Sequence, residues 1–93
     1  KIMQIHAEII IRGMVQGVGY RYFAYRKANQ YGLCGYVKNL HRDDVQCEVE
    51  GEEGIVRDFI KELNIGPAFS RVTNVQVNVS ADLYGYKSFE VKF

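Results

Sequence analysis

Ile5, Ala7, Ile9 and Ile11 alternate with His6, Glu8, Ile10 and Arg12. This two-residue period, rich in β-branched side chains, predicts a strand. Ile10 interrupts the polar side, so the strand is apolar on nearly both faces. Such a strand belongs inside a sheet, with cover above it and partners on each flank. A chain of 93 residues has room for one core, so the remaining elements must be arranged around this strand as one domain spanning 1–93.

The stretch that follows is punctuated by Gly13, Gly17 and Gly19 and ends in Arg21. Beyond it, Tyr20, Phe23, Ala24, Ala28 and Tyr31 recur at helical spacing, with Gly32 placed for a left-handed C-terminal cap. Leu33 to Leu40 reads as a second strand, with Val37 and Asn39 on one side and Cys34, Tyr36 and Lys38 on the other. The polar turn His41-Arg42-Asp43-Asp44 leads into a third strand that carries Val45, Cys47 and Val49 on its apolar side. So short a connection makes the two strands an antiparallel hairpin. Setting Asn39 near Val45 puts Val37 opposite Cys47 and Cys34 opposite Glu50, a register that disfavours a Cys34–Cys47 disulfide.

Gly51-Glu52-Glu53 opens a second helix with acids where the helix dipole favours them; its stripe is Ile55, Val56, Phe59, Ile60 and Leu63, and Gly66-Pro67 stops it. Val75, Val77 and Val79 mark a fourth strand. Ala81 to Lys87 is a loop, and Phe89, Val91 and Phe93 mark a short fifth strand. The order β-α-β-β-α-β plus a terminal strand predicts an α+β, ferredoxin-like (split βαβ) sandwich: an antiparallel sheet with both helices on one face. Right-handed crossovers place the first and third strands in the middle. That scaffold carries many unrelated activities and names none.

The glycine loop suggests chemistry. Glycines that accept positive φ let successive N–H groups turn inward as a nest, and the start of a helix adds unpaired N–H groups and its dipole. Together with Arg21 they form an anion site. The net charge of +1 offers no global field for nucleic acid or a membrane, so any positive site is local. The loop matches neither the dinucleotide pattern, since Tyr22 stands where a third glycine belongs, nor a P-loop, which needs a Lys-Ser/Thr pair. No cysteine precedes the arginine as a thiol nucleophile would. Asn39, at the C-terminal end of the second strand, falls on the same sheet rim, about two strand spacings or ~10 Å from the loop. A carboxamide there can both donate to and accept from a water. The competing role for Asn39 is turn chemistry on its own backbone.

Together these two segments resemble the acylphosphatase family. Gly13-Met14-Val15-Gln16-Gly17-Val18-Gly19-Tyr20-Arg21 fits its signature G-x-V-Q-G-V-x-(F/Y)-R, and Gly35-Tyr36-Val37-Lys38-Asn39 fits its second motif. The resemblance implies hydrolysis of carboxylic-phosphoric mixed anhydrides to carboxylate and phosphate, without metal or cofactor. It also implies that Arg21 binds the phosphate and Asn39 orients the attacking water. Backbone N–H groups of Val15, Gln16, Gly17, Val18, Gly19 and Tyr20 then complete the phosphate cradle. One departure is Asp43, where the family places glycine; aspartate tolerates left-handed geometry, so the hairpin is expected to persist with some strain.

Two alternatives remain. An RNA-recognition module would need aromatics on its first and third strands, where this chain has none on the first and Gln46, Glu48 and Glu50 on the third. A catalytically silent anion-binding or regulatory domain would need Arg21 but not Asn39. The implied partner is a small-molecule acyl phosphate, with no nucleic acid, no membrane and a monomeric state. Cys34 and Cys47 lack metal or disulfide spacing. The run Ile2 to Ile11, broken by His6 and Glu8, is neither a signal peptide nor a span, so a cytoplasmic, reducing location is expected. His41 reads as a solvated turn residue, and Tyr22 and Tyr25 as surface packing on the first helix.

Overall fold

A computed structural model describes residues 3–93. The elements in chain order are β1 (Gln4–Met14), α1 (Tyr20–Gln30), β2 (Cys34–Asn39), β3 (Val45–Glu52), α2 (Glu53–Ile65), β4 (Arg71–Ser80) and β5 (Phe89–Lys92), with one 3₁₀ turn, His41–Asp43, between β2 and β3. The sheet order is β4-β1-β3-β2-β5, so β1 and β3 lie inside it as expected. Ile5, Ala7, Ile9 and Ile11 are all buried, as are Val37, Val45, Cys47 and Val49 on the neighbouring strands. Both helices cover that apolar face: α1 packs over β2 and β5, and α2 over β1, β3 and β4.

The hairpin register is the one the alternation requires: Asn39 pairs with Val45, Val37 with Cys47 and Cys34 with Glu50. Cys47 is buried, Cys34 is half-buried, and both thiols are free. Helix α1 ends as its sequence predicts, with Gly32 at φ 70° and Leu33 N–H closing back on Ala28 O at 2.9 Å. Helix α2 is capped by the Glu52 carboxylate, which accepts the Gly54 N–H at 3.1 Å, and it stops at Gly66.

The fifth strand departs from a wholly antiparallel sheet. β5 pairs parallel with β2, Val37 beside Val91, so the sheet is mixed. The cause is the path of the loop after β4. It leaves one edge of the sheet and crosses the face opposite the helices, where the Glu50 carboxylate accepts the Tyr84 and Gly85 N–H groups and Gly35 N–H donates to Ser88 O. It then enters the far edge running antiparallel to β4, and because β4 is itself antiparallel to β2, β5 lies parallel to β2. Among the described residues no helix is long and apolar enough to cross a membrane.

Candidate active site

The loop from β1 to α1 lies at the C-terminal end of β1. Gly17 and Gly19 sit at φ 75° and 77° on either side of Val18. A Cβ at either position would meet nothing within 4 Å, so the backbone conformation, not crowding, calls for glycine. Left-handed residues alternating with an ordinary one aim successive N–H groups to one side, as an anion nest requires. Gly19 is also the N-cap of α1. No side chain caps that helix and no acid stands in its first turn, so its positive end is uncompensated. The start of α1 is anchored by Tyr20, whose ring is buried and whose hydroxyl donates to Leu63 O. Burial there pushes the phenol far above its usual titration range.

Arg21 is half-buried and is held by β5. Its Nη1 donates to Lys92 O at 3.1 Å, and its guanidinium lies 4.7 Å from the centre of the Phe93 ring. Loop, arginine and Asn39 line one hollow of about 300 Å³: Val15, Gly17, Gly19, Tyr20, Arg21 and Asn39 form its floor and sides, and Tyr22, Val91 and Phe93 its apolar wall. Asn39 shares the face of buried Val37, so its carboxamide lies on the helix side of the sheet. Asn39 Oδ1 is shielded from solvent and accepts no hydrogen bond from the protein. Among the described residues it is the one buried side-chain polar atom without a partner. Such an acceptor is costly to leave unpaired, and it suits a donor that arrives with a ligand.

Two residues expected in the cradle do not line this hollow with their side chains. Val18 packs partly against the core, and Gln16 reaches the β2–β3 turn instead, so any part they take in the cradle belongs to their backbone. His41 is exposed in the turn, apart from the hollow. Tyr22, expected as surface packing, also lines the pocket mouth, with Tyr25 stacked against it at 6.2 Å. Asp44 is paired with Arg12, 3.4 Å away.

Sequence patterns did not reveal the β5 wall or the cluster on the far face. There His6 lies between Glu48 and Glu50, and the Tyr36 and Tyr86 hydroxyls donate to Glu48. That side holds a larger hollow of about 580 Å³, in which Glu48 already accepts from the Tyr36 and Tyr86 hydroxyls. The Asn39 hollow combines a buried, unspent acceptor with a cation fixed at its side.

Comparison with known proteins gives a consistent result. The family model described as acylphosphatase matches residues 7–91. An acylphosphatase of Bacillus pumilus is 41% identical over 88 residues, 95% of this chain and 98% of that protein. One from Archaeoglobus fulgidus is 42% identical over 89 residues, covering 96% and 99%. The crystal structure of acylphosphatase from Bacillus subtilis superposes with a TM-score of 0.94 at 36% identity, covering 96% of this chain and 99% of that one.

Proposed function

The chain belongs to the acylphosphatase family and is an acyl-phosphate hydrolase; we propose that it works through a two-part site, in which the 15–20 loop and Arg21 hold the phosphoryl group and Asn39 holds the attacking water. One observation carries this reading: the nest, the guanidinium and an unpartnered amide oxygen converge on a single hollow.

The substrate phosphoryl group sits against the loop N–H groups and the start of α1. Arg21, permanently charged and able to bond two oxygens at once, takes the equatorial oxygens on which transition-state charge gathers. A water donates one hydrogen to Asn39 Oδ1 and accepts from Nδ2, which aims an oxygen lone pair at phosphorus. The water oxygen bonds to phosphorus as the bond from phosphorus to the acyl oxygen breaks. The carboxylate leaves with that electron pair, and the water proton passes to a phosphoryl oxygen. The products are one carboxylate and one dihydrogen phosphate ion. Asn39 cannot act as a base at neutral pH, and none is needed: carboxylate is a good leaving group, and phosphoryl transfer depends mainly on positioning and charge stabilisation.

Fixed N–H groups and Arg21 supply the electrostatics, so the mechanism asks for no metal or cofactor. A silent anion binder would have no use for Asn39 in the hollow, which favours the enzyme reading. The proposed substrate is a small-molecule acyl phosphate, and the site as proposed draws on a single chain.

Hydrolysis of benzoyl phosphate in H₂¹⁸O tests the step directly. The label is expected in phosphate, with the same rate after chelation. Label in benzoate would mean attack at the carbonyl and overturn the assignment; a rate lost on chelation would overturn the metal-free route.

A further inference from the structure

The Gln16 side chain spans the gap between the phosphate loop and the β2–β3 turn. Its Nε2 donates to Leu40 O and to Asp44 O, both at 2.8 Å, which uses both hydrogens of the amide. These carbonyls are the two ends of the turn, since Leu40 N–H itself donates to Asp44 O at 2.8 Å. Leu40 follows Asn39 directly, and Asp44 precedes Val45, the register partner of Asn39. The turn between them does not hold its shape by preference. Arg42 and Asp43 are both left-handed, at φ 64° and 69°, and each such non-glycine residue costs on the order of 1 kcal/mol.

We propose that the Gln16 side chain is a positioning residue that fixes the separation between the phosphate loop and the Asn39 carboxamide. The inference rests on the reading of Asn39 as holder of the water. Gln16 sits in the loop that grips the phosphoryl group, and its amide grips the turn that carries the water's acceptor, so one side chain sets the geometry between nucleophile and phosphorus. Near-attack geometry needs the reacting atoms ~3–3.5 Å apart, and a misplacement of about 1 Å can cost roughly a hundredfold in rate. Losing the clasp therefore affects the chemical step, while the nest and Arg21 still bind phosphate.

The test replaces Gln16 with Met, of similar length and without an N–H donor, in the wild-type and Asn39→Ala backgrounds. Benzoyl phosphate turnover and competitive inhibition by inorganic phosphate are then measured. The single variant is expected to lose about tenfold or more in kcat with an unchanged phosphate inhibition constant, which also reports an intact fold. In the Asn39→Ala background the same replacement should cost nothing further, because two residues acting as one unit are not additive. Equal losses in both backgrounds, a phosphate constant that weakens in step with kcat, or an unchanged kcat would overturn the inference and leave the two-part site standing. A full rate in Asn39→Ala alone would instead overturn the water-holding role, and this inference with it.

Discussion

His6 Nδ1 and Glu50 Oε2 lie 2.6 Å apart on the sheet face away from the helices, and the same carboxylate receives the Tyr84 and Gly85 N–H groups. His6 Nε2 faces Glu48 Oε1 at 2.9 Å, so the ring bridges the two acids. Through Tyr84 and Gly85 this pair fixes the loop that delivers β5, and β5 and the Phe93 that follows it supply the Lys92 carbonyl and the ring that hold Arg21. A hydrogen-bonded pair on one face thus supports the phosphate-binding cation on the other.

Glu50 makes stability depend on acid. Burial alone would raise its carboxyl, but hydrogen bonds from His6 and from the Tyr84, Gly85 and Tyr86 N–H groups outweigh burial and hold it below its ordinary 4.5. A carboxyl depressed in the folded state adds stability that is present above the unfolded value and lost as pH falls through the folded one. Urea unfolding should therefore show stability falling below about pH 4.5. Glu50→Gln should flatten that dependence and cost about 1–2 kcal/mol at neutral pH.

Asp43 is a site of removable strain. At φ 69° it adopts a geometry that glycine takes without a Cβ penalty. Asp43→Gly should raise the unfolding free energy by about 0.5–1 kcal/mol, the left-handed relief less the extra entropy of a glycine in the unfolded chain. A denaturant midpoint at or below that of wild type would contradict this.

Phe59 is the aromatic centre of the core. It is fully buried, and its ring meets Phe89 edge-on at 6.5 Å between centroids. Phe59→Ala should cost about 3–5 kcal/mol through lost burial and the cavity left behind. At roughly 4–8 °C per kcal/mol for a domain of this size, the melting temperature should fall by at least ~12 °C.

Local pattern carried much of the fold. The alternation in β2 and β3, with a turn too short for slippage, was enough to pair Val37 with Cys47 and Cys34 with Glu50. The helix ends at Gly32 and Gly66 were equally legible, because a left-handed stop depends on local chemistry. The parallel placement of β5 was not: alternation at Phe89 and Val91 states which side is apolar but not which strand lies alongside. The crossing that decides it depends on Glu50, more than thirty residues upstream of Tyr84 and Gly85. At the site, the motifs named Arg21 and Asn39. The Gln16 clasp stayed hidden because its acceptors are backbone carbonyls, which no residue type announces. The second left-handed residue, Arg42, is long and charged and carries no turn signal of its own.

The most direct measurement of the two-part site compares Arg21→Ala and Asn39→Ala by benzoyl phosphate turnover and by competitive inhibition with inorganic phosphate. Arg21→Ala is predicted to lose both turnover and inhibition. Asn39→Ala is predicted to lose turnover, on the order of a hundredfold or more, while inorganic phosphate inhibits it as it does the wild type. An Arg21→Ala enzyme still inhibited by phosphate at the wild-type concentration, or an Asn39→Ala enzyme turning over at the full rate, would contradict the division of labour between the cradle and the water.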